Sequence, residues 1–329
     1  MAKVVLGIGT SHSPLLTISG ADWGARADAD RRNPRLTLAD GRSMSYDELV
    51  KERGEPYTEV ATLEKFNELS ADSQAELDNL ADAIAAAEPD VIVIVGDDQD
   101  ELYTPGNMPA LAIFWGPTVV MSKLPDGMPP WMQSMAHGYA MDARHEFPGH
   151  PEFALDLIKG MMDRGADLAI CKDIPNAGEA GFGHAFGFPV KRLFRGREIP
   201  IVPIMLNTYF PPNVLSANRC FDVGVMLNEA IEASPLDLRV AVLASGGLSH
   251  FVVEEELDRG VLDGLSDPTG KSLRSIPREA LLEGSSEILN WVLTAGAVSH
   301  LPLRTARYLP VQRTPAGTGI GLAFAVWGE

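Results

Sequence analysis

Three apolar segments of this chain each end in a cluster of polar side chains. The first runs from Val4 to Ile8, the second from Asp90 to Gly96 and the third from Leu238 to Ala244. Short apolar runs of this kind, bounded by polar and small residues, are typical of buried strands. Because ligand sites in open α/β sheets gather at the carboxyl ends of strands, the three clusters predict a functional site along one edge of a sheet.

The segments between these strands alternate between helical and extended patterns. Apolar residues recur at three- and four-residue steps from Thr58 to Ala87, which predicts a long amphipathic helix. Further helices are predicted over residues 152–165, 214–233, 254–265 and 278–295, and further strands over 110–115, 167–171, 200–206, 305–310 and 320–327. This alternation indicates an α/β fold. With no repeat, low-complexity tract or linker, we expect a single domain over residues 1–329, with a central mixed β-sheet flanked by helices and an active site at the strand carboxyl ends.

Charge and cysteine content narrow the class of partner. The formal net charge is −18 at pH 7, and its field would repel nucleic acid and anionic membranes. No secretory signal and no apolar stretch of membrane-spanning length is recognisable, and Cys171 and Cys220 are the only cysteines. We therefore expect a cytoplasmic protein with no nucleic-acid or membrane partner. We also expect it to form homo-oligomers.

Histidines and carboxylates stand in the polar clusters. His12 follows the first strand, Asp97 and Asp98 follow the second, and His250 ends the polar run after the third. His184 lies in a glycine-rich segment over residues 178–189. A histidine at such a place can be a metal ligand or an acid–base group, or it can simply hydrogen-bond to the backbone. Periodicity alone does not decide between these roles.

Five motifs occur in an order that resembles a known family. They are Gly7-Ile-Gly-Thr-Ser-His-Ser-Pro14, Val91-Ile-Val-Ile-Val-Gly-Asp-Asp98, Gly149-His-Pro151, Gly183-His-Ala-Phe186 and Gly246-Gly-Leu-Ser-His250. This order is similar to that of the class III extradiol ring-cleavage dioxygenases, the group that contains the β subunit of protocatechuate 4,5-dioxygenase. The resemblance covers nearly the whole chain and includes the segment Glu283-Gly-Ser-Ser-Glu-Ile-Leu-Asn-Trp291.

The resemblance implies an Fe(II) site, with Mn(II) as a possible alternative, and suggests its ligands. Members of the family hold the ion with two histidines and one carboxylate, which leaves positions open for substrate and O₂. By position, the resemblance implies His12 and Glu287 as ligands, His250 as the acid–base residue and His184 as a second histidine that contacts substrate. The alternatives are an exposed helical residue for Glu287 and a residue that orients a ligand for His250.

Position 98 departs from the family pattern, which has a histidine there. Asp98 can itself bind the ion, giving a site with one histidine and two carboxylates that also suits Mn²⁺ or Mg²⁺. His145 or His150 can instead supply the missing nitrogen, or the site no longer holds a catalytic metal. We favour the first explanation, so that the predicted ligands are His12, Asp98 and Glu287.

The activity implied by the resemblance is extradiol cleavage of a catecholic acid with O₂, the acid being of the protocatechuate, gallate or methylgallate type. A carboxylated substrate needs a cationic partner, and the sequence does not distinguish between Lys123, Lys191, Arg192 and Arg195. Two other classes of function remain open. One is a non-catalytic or metal-altered binding protein on the same scaffold, suggested by the missing histidine, and the other is a metal-assisted hydrolase.

The polar segment over residues 17–56 is longer than the β subunit of the protocatechuate enzyme needs. In that enzyme a separate small subunit covers the active site. We expect segment 17–56 to act as an internal lid, so that a small partner subunit is possible but not required.

Overall fold

The computed structural model of the chain describes residues 1–128, 130–174 and 180–329, and for residues 130 and 131 the backbone alone. Its strands are β1 (Lys3–Thr10), β2 (Leu36–Thr37), β3 (Ser43–Met44), β4 (Val91–Asp97), β5 (Leu111–Phe114), β6 (Thr118–Val120), β7 (Glu146–Pro148), β8 (Ala169–Cys171), β9 (Ile201–Leu206), β10 (Arg239–Ser245), β11 (Leu303–Gln312) and β12 (Gly319–Trp327). Its helices are α1 (Trp23–Arg32), α2 (Tyr46–Arg53), α3 (Leu63–Ala87), α4 (Pro130–Gly138), α5 (Pro151–Asp163), α6 (His184–Leu193), α7 (Ala217–Ala233), α8 (Glu255–Gly264), α9 (Lys271–Arg274) and α10 (Ile288–Ala297).

The larger strands form one mixed sheet, in the order β11-β12-β1-β10-β4-β9-β5-β8. The four central strands β1, β10, β4 and β9 run parallel to one another. Strands β12 and β5 pair antiparallel with β1 and β9 at either side. The carboxyl ends of the four parallel strands therefore lie along the same edge. This mixed sheet with flanking helices confirms the predicted fold class.

The side chains of β4 alternate between two hydrophobic cores. Val93 and Val95 face a core formed with α5, α7 and α10, whereas Ile92 and Ile94 face a core formed with α3 and α6. Because successive side chains of a strand point to opposite faces, an uninterrupted apolar strand needs helices on both sides of the sheet. The apolar run of β4 is fully buried for this reason.

The long predicted helix is present as α3, with a later start than its apolar pattern suggests. Thr62 caps the helix, because its hydroxyl accepts a hydrogen bond from the Lys65 backbone N–H at 3.3 Å. Glu88 ends the helix in the left-handed region, with φ at 44°, directly before Pro89. The buried side chains of α3 recur at helical spacing and pack against the sheet (Phe66, Leu69, Leu77, Leu80 and Ile84).

Three segments differ from the sequence-based expectation. Helix α4 lies between the predicted strand over residues 110–115 and the predicted helix over 152–165, where no element is predicted. Helix α6 begins inside the glycine-rich segment over residues 178–189, whose residues 178 and 179 lie outside the described part. The predicted helix over residues 278–295 is divided into two 3₁₀ turns, Arg278–Ala280 and Glu283–Glu287, followed by α10. Because of this division, Glu287 directly precedes the first residue of α10 and does not lie on the side of a longer helix.

Segment 17–56 folds into α1, the β2–β3 hairpin and α2. Its apolar side chains form a small core with Val252, which lies in the loop after β10, and Ala316, which lies between β11 and β12. The members from the segment are Leu36, Leu38, Met44 and Leu49. Arg53 pairs with Glu254 at 2.8 Å, and Arg35 pairs with Glu283 at 3.0 Å. The segment thus packs against the loop after His250 and the turn before Glu287. Within the described residues, no helix combines the length and the apolar character that crossing a membrane requires.

Candidate active site

The carboxyl edge of the parallel strands brings the predicted histidines into one cavity. His12 follows β1, His250 follows β10, His184 begins α6 and Glu287 directly precedes α10. All four side chains line a cavity of about 380 Å³. A cavity of this size holds a small aromatic molecule.

His12 presents one buried nitrogen to this cavity. Its Nδ1 lies 3.0 Å from the hydroxyl of Ser245, and Tyr139 donates a hydrogen bond to its carbonyl at 2.6 Å. Its Nε2 is buried without a hydrogen-bond partner among the described residues, although it lies 3.1 Å from Oε2 of Glu287. Because buried polar atoms are nearly always satisfied, this nitrogen fits a metal ligand.

Asp97 completes a group of three potential metal ligands. His12, Asp97 and His184 each offer one ligand atom, and these atoms lie within 4.8 Å of one another. The Asp97 carboxylate accepts hydrogen bonds from Asn290 Nδ2 at 3.1 Å and from Gln99 Nε2 at 2.9 Å. Burial, followed by the negative charge of Glu287, raises the pKa of Asp97. A cation bound between these groups would offset that repulsion.

Asp98, the ligand predicted from the sequence, is not a member of this group. Its carboxylate accepts hydrogen bonds from the backbone N–H groups of Asp100, Leu102 and Tyr103 at 3.0–3.2 Å. Adjacent side chains at a strand end point in opposite directions, so Asp97 and Asp98 cannot both face the cluster. Asp98 therefore closes the loop after β4, and Asp97 is the candidate ligand.

The two other histidines considered as ligands lie elsewhere. His145 Nε2 is 2.8 Å from Asp142 Oδ1, and His150 caps α5 by accepting the Phe153 N–H at 3.3 Å. Neither side chain lines the cavity. The second imidazole of the cluster belongs instead to His184, which sequence analysis assigned to substrate contact.

Glu101 holds the His184 ring in place. Its Oε1 lies 2.8 Å from His184 Nδ1. Although burial opposes a charged imidazole, the Glu101 carboxylate raises the pKa of His184 to about 9. Metal-binding histidines commonly use their second nitrogen for such a bond, which leaves Nε2 of His184 for the cluster.

Replacing this carboxylate tests its role. We expect Glu101→Gln to weaken metal binding by about 10- to 100-fold, because a neutral amide orients and polarises the imidazole less strongly. Competition with a chromophoric chelator measures the affinity. Glu232→Gln, at an exposed position of α7, is the matched control. Equal metal affinities of the two variants would contradict a role for Glu101 in the metal site.

Glu287 connects His12 with His250. Its Oε2 accepts the Gly247 N–H at 2.6 Å, and its Oε1 accepts the Tyr209 hydroxyl at 2.8 Å and lies 3.3 Å from His250 Nε2. Burial raises the pKa of the Glu287 carboxyl, but its interactions with His12 and His250 outweigh burial and hold that pKa well below its usual range. With 3% of its side chain exposed, Glu287 is not a solvated helical residue.

His250 is held in one orientation by its own loop. Its Nδ1 lies 2.9 Å from the Leu248 carbonyl oxygen, which can only accept, so Nδ1 carries the proton. Its Nε2 faces the cavity, 3.4 Å from the Tyr209 hydroxyl. The preceding residue, Ser249, donates its N–H and hydroxyl to the buried Asp258 at 2.8 and 2.7 Å. This anchoring suits a residue that exchanges protons with a ligand.

The cationic candidates from the sequence lie away from the cavity. Lys123 pairs with Asp126, Arg192 with Asp78 and Arg195 with Asp82, and Lys191 is exposed on α6; none lines the cavity. The cationic side chains that do line it are Arg26 and Arg313.

Sequence analysis also missed Tyr209, Gln99 and Glu101. Tyr209 follows the parallel strand β9, and the other two follow β4. Extending the strand-end rule to β9 is a signal that could have found Tyr209. The two residues after β4 lie in the predicted polar cluster, but their contacts depend on how the loop closes around Asp98.

Comparisons with known proteins agree on one group. Residues 56–315 match the family model described as the catalytic LigB subunit of aromatic ring-opening dioxygenase. A gallate dioxygenase of Pseudomonas putida is 30% identical over 164 residues, which are 46% of this chain and 46% of that protein. A 2,3-dihydroxyphenylpropionate/2,3-dihydroxicinnamic acid 1,2-dioxygenase of Escherichia coli is 31% identical over 182 residues, 52% of this chain and 54% of that protein. The chain thus spans about half the length of the curated relatives it matches.

Proposed function

Because the chain belongs to the LigB family of catalytic subunits of aromatic ring-opening dioxygenases, we propose that it cleaves the ring of a catecholic acid beside the two hydroxyl groups. The cosubstrate is O₂ and the cofactor is Fe(II), with Mn(II) as an alternative. The observation that carries this proposal is the convergence of His12, Asp97 and His184 beside a cavity that also contains His250. Two imidazoles and one carboxylate are the donor set of many non-haem Fe(II) oxygenases.

The donor set fits a divalent metal ion in three respects. The buried His12 Nε2 has no hydrogen-bond partner among the described residues, the Asp97 and Glu287 carboxylates repel one another, and Glu101 orients His184 as an outer partner. Glu287, next to His12, can add a further oxygen to the three donors. A divalent ion bound there would lower the pKa of catechol hydroxyls and provide a binding position for O₂.

The remaining residues of the cavity handle the substrate. His250 Nε2 faces the space beside Glu287, where it can accept a proton from a substrate hydroxyl and return it later. Tyr209 donates to Glu287 and limits the space next to that nitrogen. Apolar side chains form the walls that exclude water from an aromatic ring (Leu124, Met135, Met141 and Ile320).

The names of the relatives support the substrate class. Gallate and 2,3-dihydroxyphenylpropionate, named in those proteins, both carry adjacent hydroxyl groups and a carboxylate. We propose a substrate of this type, such as protocatechuate, gallate or a methylated gallate.

The function is tested by an aerobic assay of anaerobically purified, Fe(II)-loaded protein against these acids and catechol. We expect O₂ consumption together with the yellow ring-opened product. Protein stripped by a chelator is the control, and reloading with Fe(II) or Mn(II) identifies the metal. Fully metal-loaded protein that consumes no O₂ with any of these compounds would contradict the proposal and favour a binding protein.

The position of His184 weighs against the non-catalytic alternative. That alternative depends on the absence of a second histidine ligand, and His184 can supply it from α6. For a metal-assisted hydrolase we find no specific support in the site.

We propose further that the chain works in the cytoplasm as a homo-oligomer and needs no separate small subunit. Segment 17–56 packs against the loops that carry His250 and Glu287, as an internal lid would. The chain purified alone and loaded with metal is therefore expected to turn over substrate, and light scattering measures its oligomeric state. Activity that arises only after a second subunit is added would contradict the lid.

A further inference from the structure

We propose that Arg26 binds the carboxylate of the substrate and thereby selects carboxylated over uncharged catechols, an inference that rests on the proposed function. Arg26 belongs to α1 in segment 17–56 and lines the same cavity as His12, His184 and His250. The lid would then contribute a specificity residue as well as a cover.

The position of Arg26 follows from the inward face of α1. Trp23, Ala27 and Asp30 are buried, and Arg26 lies between them at helical spacing. The indole of Trp23 donates a hydrogen bond to the Leu15 carbonyl at 3.0 Å, which fixes the helix against the segment after β1. Arg26 therefore points towards the cavity, which it lines.

A second arginine and a buried carboxylate, Arg313 and Asp30, lie close enough to Arg26 to act on its charge. Arg313 also lines the cavity, and its guanidinium forms a two-bond pair with Asp30 at 2.8 and 3.0 Å. Asp30 accepts a third hydrogen bond from Thr318 at 3.0 Å. A substrate carboxylate bound at this side of the cavity would therefore meet guanidinium groups, which bind carboxylates through charge-assisted hydrogen bonds.

Burial and the nearby Arg313 both disfavour the charged form of the Arg26 guanidinium. Burial, followed by the like charge of Arg313, lowers the pKa of Arg26. An anion beside the guanidinium would relieve both the lost solvation and the repulsion. Such local attraction is also what an acidic protein of net charge −18 requires in order to bind an acid.

Tyr139 links the arginine to the proposed metal site. Its hydroxyl donates to the His12 carbonyl, its ring lies 5.3 Å from that of His184, and the charge of Arg26 acts on its hydroxyl. A flat aromatic acid can therefore direct its hydroxyls to the histidines and its carboxylate to Arg26.

The test compares the binding of protocatechuate and catechol, which differ only in the carboxylate, to metal-loaded protein under anaerobic conditions. Calorimetry gives both affinities, and their ratio cancels the shared contribution of the metal. We expect Arg26→Met to weaken protocatechuate binding by about 10- to 100-fold while changing catechol binding less than about threefold. In aerobic kinetics the loss is expected mainly in KM for the acid.

Two variants complete the design. Arg32→Met makes the same change on the exposed face of α1 and is expected to behave like wild type. Arg26→Lys keeps the charge and is expected to retain part of the preference, including where Arg26→Met fails to fold. Equal weakening of both ligands, or wild-type protein that binds protocatechuate no better than catechol, would overturn the proposal. Binding is read without turnover, so a failed ring-cleavage assay would count separately against the proposed function.

Discussion

Replacing Asp97 with asparagine is expected to weaken binding of Fe(II) or Mn(II) at least about 100-fold. This loss exceeds the one expected when a residue that only hydrogen-bonds to a metal ligand is replaced. The variant loses an anionic oxygen from a group whose atoms lie within 4.8 Å of His12 and His184. Metal content after anaerobic loading and dialysis measures the effect, and turnover should fall with it.

The adjacent residue provides a matched control for this variant. Asp98→Asn is expected to keep its metal, because Asp98 is bonded to three backbone N–H groups of the following loop. An amide cannot accept all three bonds, so we expect a loss of about 1–3 kcal/mol in the free energy of unfolding. Metal-free Asp98→Asn protein together with metal-loaded Asp97→Asn protein would restore the assignment made from the sequence.

His250→Ala is expected to lower kcat by about 10² to 10⁴ while leaving the metal content unchanged. The reason is that its Nε2 faces the cavity while Nδ1 is fixed by the Leu248 carbonyl, so the ring can exchange a proton with the substrate. Single-turnover kinetics with metal-loaded protein separates this effect from substrate binding.

A surface histidine gives the comparison for His250. His137, whose side chain is 66% exposed, undergoes the same change in His137→Ala and should leave kcat unaltered. If His250→Ala lost its metal and its turnover together, His250 would be a residue that supports the metal site and not a proton-transfer residue.

The sheet could be predicted because its strands carry strong local signals. The run from Val91 to Val95 is apolar without interruption, and only a strand covered on both faces needs such a sequence. The convergence of His12 and His250 followed from the rule that parallel strands end at a common edge. These are properties of short segments and of general topology, so they can be read without coordinates.

Which of the two aspartates faces the proposed metal site was harder to predict, because successive side chains of a strand point to opposite faces and an error of one residue selects the wrong one. Asp97 continues the series of Val93 and Val95, which faces α10, and Asn290 of α10 does bond to it. Sequence position favoured Asp98, where the family pattern has its ligand. The alternation of β4 would have favoured Asp97, had the end of the strand been known to within one residue.

Arg26 was missed because α1 has no regular apolar pattern. Its buried face includes Asp30, a charged residue whose burial is offset by its ion pair with Arg313. Asp30 and Arg313 lie far apart in the sequence, so the residues around Asp30 give no sign that its side chain faces inward. His184 likewise joins the candidate metal ligands through the placement of α6, which depends on tertiary packing.

The residues around the proposed metal come from both ends of the chain, since His12 follows the first strand and Glu287 precedes the last helix. Such a site exists only when the whole sheet has assembled, so the ion binds the native state and not the unfolded chain. By mass action, a free metal concentration 100 times the Kd would add about 2.7 kcal/mol to the free energy of unfolding. The supply of the proposed metal would then affect the thermal stability and the resistance to proteolysis of this protein, in addition to the proposed turnover.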